Sequence, residues 1–356
     1  MHMSDAMLSP KIGILFYIVS AGLLAWSARK VSAERKPEKV PLMGVLGAFI
    51  FAAQMINFSI PGTGSSGHIG GGMLLAVILG APPAFLIMAS VLTVQCLLFA
   101  DGGLLALGAN IFNLTFWPCF VGLPLFRILS GGHRNGSRFM AALIAAVVVS
   151  LELDALSVVG ETVLSGITEL PFSKFAAIML GIHLPIALVE GALTCAFVAA
   201  LARARPDLIF GQKTEILPPS TLHSYRKVLV VLFSLVILTG GIVAWFASSH
   251  PDGLEWSIQK ITGKEKLTEE QQTIKSRLQA IQAKTAFLPD YDFKSGEATA
   301  VKPEPKTETE NRWPAVSGGT SLAGVVGAGI TAACVGVTAL LLFLVRGRRA
   351  ETGVNN

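Results

Sequence analysis

Long apolar runs separated by short polar or basic connections dominate the chain. Seven lie near residues 12–28, 41–57, 69–81, 84–100, 104–126, 139–159 and 174–202, and two more near 228–248 and 321–345. Most have the length of a helix that crosses a hydrocarbon core of ~30 Å. The third is short, and Pro82-Pro83, where it meets the fourth, predicts a tight turn. The pattern predicts an all-α fold: a polytopic membrane helical bundle of about seven transmembrane helices plus a C-terminal two-helix hairpin. Residues 1–205 would form the main bundle, 206–226 a cytoplasmic linker and 227–350 the appended hairpin. Between the last two runs, 267–285 predicts a short helix. The stretch 295–312, rich in Lys, Glu, Thr and Pro, predicts a linker.

Composition agrees with a membrane chain. Of 356 residues, 52% are hydrophobic and 14% charged, where soluble domains carry roughly a quarter charged. The net charge of +5 does not point to nucleic acid; the basic residues cluster between apolar runs. Arg29, Lys30, Arg35, Lys36 and Lys39 follow the first run, Arg127, Arg134 and Arg138 the fifth, Arg203 and Arg205 the seventh, and Arg346, Arg348 and Arg349 the ninth. The connections 58–68, 101–103 and 160–173 hold no Lys or Arg. The positive-inside rule then places the amino terminus outside and the carboxyl terminus in the cytoplasm. Cys96, Cys119, Cys195 and Cys334 lie in apolar runs without CxxC spacing and read as packing residues.

The candidate chemistry is at the start. A free amine, the amide nitrogen of His2 and its imidazole can close two small rings around one metal ion. His68, in the glycine-rich stretch Pro61–His68, can supply a fourth nitrogen. Four nitrogens in a square suit nickel(II) or copper(II). No basic leader region precedes the first run and no small-residue cleavage site follows it, so Met1 is expected to be retained. Ser9-Pro10 predicts a helix start, which makes residues 1–8 a free arm on the same outer side as His68. Between Val40 and Phe126 there is no Lys, Arg or Glu; His68 and Asp101 stand alone. The plain alternative for His68 is a boundary histidine bonded to a carbonyl. Gln54, Asn57, Asp101 and Asn110 are candidates to hold an imidazole in one tautomer, or simply to bond between helices. Glu152, Asp154, His183 and Glu190 fall inside apolar runs. Such costly residues suggest a proton relay, a ligand in the case of His183, or helix-packing contacts.

The residues Met1–Pro10, Phe51–Phe58, Gly64–His68, Leu98–Asn110 and His183–Gly191 resemble the cobalt/nickel substrate-specific (S) components of energy-coupling factor transporters, the CbiM/NikM family. Pro251-Asp252-Gly253-Leu254-Glu255 resembles the small CbiN/NikN companion, here fused to the carboxyl end. The resemblance implies a seven-span bundle whose first helix delivers the amino terminus into its centre. It implies metal binding by the Met1 amine, the His2 amide nitrogen and imidazole, and the His68 imidazole. It also implies a transmembrane T component and two cytosolic ATPases as partners, in the cell (inner) membrane, with nickel or cobalt as cargo rather than cofactor. Cobalt would serve cobalamin biosynthesis. The chain has no Gly-x-x-x-x-Gly-Lys-Ser/Thr with which to hydrolyse ATP itself. An intramembrane metalloenzyme is opposed by the lack of His-Glu-x-x-His. A proton-coupled secondary transporter using Glu152, Asp154 and Glu190 remains the alternative.

Overall fold

The computed structural model describes residues 2–34, 39–133, 135–204, 220–264, 267, 273–293 and 313–352. Met1, most of the 206–226 linker and the 295–312 linker therefore lie outside the described residues. The fold is a helical bundle: α1 (Pro10–Glu34), α2 (Val40–Gln54), α3 (Gly72–Leu79), α4 (Ala81–Phe99), α5 (Leu107–Phe116), α6 (Leu123–Ser130), α7 (Gly136–Ser165), α8 (Phe172–Ala204), α9 (Ser220–Gly241), α10 (Gly253–Thr262), α11 (Thr273–Thr285) and α12 (Gly318–Thr352). Among the described residues, six helical stretches are long and apolar enough to cross a membrane: α1, α4, α5–α6, α7, α8 and α12.

The third expected span is not a spanning helix. α3 has eight residues, about 12 Å at 1.5 Å per residue. Irregular backbone from His68 to Gly71 precedes it, inside the bundle. The turn to α4 falls at Gly80, whose φ of 89° suits glycine. Pro82 and Pro83 lie beyond that turn, in the first turn of α4, where a missing N–H costs nothing. The fifth run is one helix with a π-helical segment at Trp117–Gly122. Pro118 there offers no N–H to the ladder.

α1 packs through small residues seven apart, Gly13, Ser20 and Ser27. Gly108 lets α5 approach: a Cβ there would lie 2.6 Å from the Tyr17 backbone nitrogen. Ser20 Oγ donates to Gly108 O at 2.7 Å. Ile14, Leu15, Ile18 and Trp26 stay exposed on the outer side of α1, as lipid-facing residues would. The C-terminal helices pack on α2 and on each other. Gly324 meets the Gly240 backbone, and Gly327 leaves room for the Phe51 ring; Gly329 faces open space. One end of the bundle collects the connections 55–71, 100–106, 243–262 and 286–293, cross-linked by Ser248 N–H to Asn57 O at 2.7 Å and Phe287 N–H to Leu98 O at 3.1 Å. α10 and α11 lie at this end. α11 falls within the predicted 267–285 helix, whereas the pattern did not predict α10.

Candidate metal-capture site

The amino-terminal segment is not a free arm. Met3, Asp5, Ala6, Met7 and Leu8 are buried, with a short 3-10 turn at Asp5–Met7. Asn110 grips Met3 twice: its Oδ1 accepts from Met3 N–H at 2.8 Å and its Nδ2 donates to Met3 O at 3.1 Å. Gly103 N–H also donates to Met3 O, at 2.9 Å. Asp5 Oδ1 accepts from Ala106 N–H at 3.0 Å. A Cβ on Gly103 would sit 1.9 Å from that oxygen, so only glycine admits the segment there. Backbone groups that would otherwise be buried and unsatisfied are paired, and the insertion holds His2 at one place.

His68 arrives from the other side. Phe58–Ile60 (β1) and Ser65–Gly67 (β2) form a small antiparallel hairpin with Phe58 opposite Gly67 and Ile60 opposite Ser65. Its turn uses Gly62 and Gly64 at positive φ. The next residue, His68, stacks its ring on His2, centroids 5.5 Å apart and planes 9° apart. Burial pushes the His68 imidazole down to about 3. It is therefore neutral near pH 7, the form that ligates metals. Its Nδ1 faces Ile69 O at 3.3 Å. Because that carbonyl accepts, Nε2 keeps the lone pair.

His2 Nδ1 lies 3.0 Å from Asp101 Oδ1, while the buried His2 Nε2 has no hydrogen-bond partner. A small-ring chelate with the His2 amide uses Nδ1. A half-turn of the ring about Cβ–Cγ would carry Nδ1 to the opposite edge and bring Nε2 round toward the carboxylate. As it stands, Asp101 orients the ring through Nδ1. Burial disfavours the Asp101 carboxylate, but the charge and hydrogen bond of His2 and the hydroxyl of Tyr291 outweigh it and hold the group below the usual range. Tyr291 Oη donates to Asp101 Oδ2 at 2.5 Å, and its ring stacks on Phe99, centroids 5.0 Å apart. The C-terminal part therefore reaches the site.

The backbone after His68 is held from below. Glu190, fully buried on α8, accepts from Gly70 N–H at 2.8 Å and Gly71 N–H at 2.9 Å. Gln54 Nε2 donates to Gly70 O at 2.7 Å, and Gln95 Nε2 donates to Gln54 Oε1 at 2.8 Å. Non-helical backbone at membrane depth survives only with such partners. Glu190 is thus a backbone anchor. Of the four polar residues singled out near the site, Asp101 alone touches an imidazole. Gln54 holds the loop, Asn110 holds Met3, and Asn57 accepts through its carbonyl from Ser248 N–H.

The segment Pro251–Glu255 clamps the hairpin from above. Ser66 N–H donates to Pro251 O at 2.8 Å and Ser66 Oγ to His250 O at 2.8 Å. Trp256 Nε1 donates to Thr63 O at 3.0 Å. Asp252 and Glu255 form a capping box that starts α10. Gly253 lies against the His183 ring, where a Cβ would meet Cε1 at 2.9 Å. Tyr291, Gln95 and Asp5 escaped the sequence reading. Asp5 stood beside His2 as a cue, but nothing marked Tyr291 in its polar segment.

A cavity of about 620 Å³ opens over this site, bordered by His2, His68, Asp101, Asp252 and Tyr291. Among the described residues no three of His, Cys, Asp and Glu converge as a metal cage.

Residues 2–208 match the family described as the cobalt uptake substrate-specific transmembrane region, and residues 226–344 match the PDGLE domain. A putative metal transport protein of Haloquadratum walsbyi is 38% identical over 212 residues, 60% of this chain and 94% of that protein. A putative fused nickel transport protein NikMN of Archaeoglobus fulgidus is 38% identical over 59% of this chain and 68% of its own length. A solved structure of a transition metal transporter superposes with a TM-score of 0.51 at 30% identity, over 58% of this chain and 95% of that one.

Proposed function

Because the chain belongs to the cobalt uptake substrate-specific family, we propose that it is the ion-capturing membrane subunit of an ATP-driven energy-coupling factor importer for nickel(II) or cobalt(II). The observation that carries this reading is the His2–His68 ring pair, 5.5 Å apart at the end of a buried amino-terminal segment. The Met1 amine, the His2 amide nitrogen and imidazole, and the His68 imidazole bind the ion. Protons leave the amine and the amide as it binds, so affinity rises with pH. Arg29, Lys30, Lys39, Arg127, Arg138 and Arg203 lie toward the helix ends away from the connections that carry the site, which supports an outside site under the positive-inside rule. Release to the cytoplasm requires a T component and two cytosolic ATPases, since this chain has no P-loop. The chain is a transport subunit, not an enzyme. A square of nitrogens favours nickel over cobalt; relatives are named both as nickel and as cobalt transport proteins. The secondary-transporter reading loses one of its proton carriers, because both Glu190 oxygens are occupied by Gly70 and Gly71.

The test is a protein with one extra residue before Met1. It should fold and lose nickel binding by at least a hundredfold in a competition titration. Native affinity in that protein would rule out the amino-terminal chelate.

A further inference from the structure

A second, smaller cavity lies on the inner side of His68. Its volume is about 30 Å³, above the ~10–15 Å³ that admits a water molecule. His68 and Asp252 border both this cavity and the outer one. The His68 loop is therefore the wall between them, and an ion released inward from His68 enters the smaller space.

Two side chains there have unspent donor capacity. His183 is buried on α8, and its Nδ1–H donates to Met179 O at 2.7 Å. That bond fixes the tautomer and leaves a lone pair on Nε2. Gly253 is what leaves room for this ring edge, since a Cβ there would stand 3.1 Å from Nε2. Asp154, on α7, is 5% exposed, and its buried Oδ1 has no hydrogen-bond partner. Both residues line the cavity. Glu190 lines it too, but its oxygens are committed to the Gly70 and Gly71 amides. A buried carboxylate oxygen without a partner is costly. An acceptor oxygen and an imidazole lone pair on two residues that line one cavity are donors of the kind first-row divalent ions take.

We infer that this inner cavity is a second, weaker station for the transported divalent cation, held by His183 Nε2 and Asp154 Oδ1 with water completing the shell. The inference rests on the transport reading above. Weakness is what a transit station needs, because an ion must be able to leave each site on its path. Two protein donors, with no third His, Cys, Asp or Glu converging on them among the described residues, meet that need. The four-nitrogen site would hold the ion until its loop is displaced. The inner pair would then receive it without leaving the cavity.

The test titrates the purified full chain with nickel chloride and, separately, cobalt chloride, beside Asp154→Asn and His183→Gln. Wild type should take up a first equivalent tightly and a second at least a hundredfold more weakly. Both variants should lose the second equivalent while their first-site affinity stays within threefold, which also shows that they fold. X-ray absorption of the second cobalt should show one imidazole and otherwise oxygen. Nickel uptake by cells carrying the complete transporter should fall at least tenfold in each variant. A wild type with no second equivalent, or variants that keep it or keep uptake within twofold of wild type, would overturn the station. A wild type that binds no first equivalent would instead strike the transport reading beneath it.

Discussion

Glu190→Gln tests how the broken third crossing is held. Both carboxylate oxygens accept backbone N–H groups, from Gly70 at 2.8 Å and Gly71 at 2.9 Å. A glutamine of the same shape offers one acceptor and turns an NH2 toward the other N–H. One charge-assisted bond is lost and one buried donor is left facing a donor. A hydrogen bond to a charged group contributes about 1.5–3 kcal/mol, and an unsatisfied buried partner costs about 1–3 kcal/mol. The two descriptions overlap, so the total is about 2–3 kcal/mol. Gly70 is two residues from His68, so this cost falls on the loop that presents that imidazole. At 1.4 kcal/mol per tenfold, nickel affinity should weaken by about 30- to 140-fold if the whole cost is borne by the loaded state. Any share borne by both states should appear as a lower melting temperature without metal. Competition titration and metal-free thermal unfolding, run on the same preparation, divide the two. Affinity within threefold together with an unchanged melting temperature would refute the anchor.

Tyr291→Phe removes the hydroxyl that Asp101 accepts. Nickel affinity should drop by about tenfold with the first-coordination spectrum unchanged, the cost of one bond to a charged group; no change would show that the C-terminal part does not orient His2. Gly253→Ala places a methyl 2.9 Å from the His183 ring, an overpacking of about 1–3 kcal/mol. Protease sensitivity of the Pro251–Glu255 segment should rise, and equal sensitivity would refute the close fit. With His68 lowered from 6.5 to about 3 in the folded state, the unfolded chain binds the extra proton first. Metal-free stability should therefore be complete above about pH 6.5 and be lost as pH falls toward about 3. His68→Gln should flatten that part of the melting profile, and an unaltered profile would contradict it.

The apolar runs were legible because hydrocarbon imposes a length on every spanning helix. What they could not show was where a crossing is made without a full helix. Residues 69–81 are as apolar as a short span, and the partners that permit irregular backbone there, Gln54 and Glu190, come from distant helices. His2 and His68 stood out because each is rare in its surroundings. The arm, though, read as free because its buried partners are mainly backbone groups and an asparagine, Asn110, which carry no signature. Tyr291 is the clearest loss. Its role depends on an 190-residue separation from Asp101 that no local pattern encodes.

These contacts also bear on how the site must open. His68 is held by three separate parts: the Pro251–Glu255 segment on β2, the Glu190 anchor on Gly70 and Gly71, and the ring of His2. The first belongs to the C-terminal part, the second to α8 and the third to the inserted terminus. Breaking one leaves two in place, so thermal motion at any single contact does not free His68. A movement of α8 is different. It carries Glu190 and His183 together, and His183 is what Gly253 rests against. Such a shift pulls on the loop and on its clamp at once, while α7, with Asp154, lies alongside. In the importer proposed above, force applied to α8 from the opposite end of the bundle would couple ATP hydrolysis by a partner to opening here.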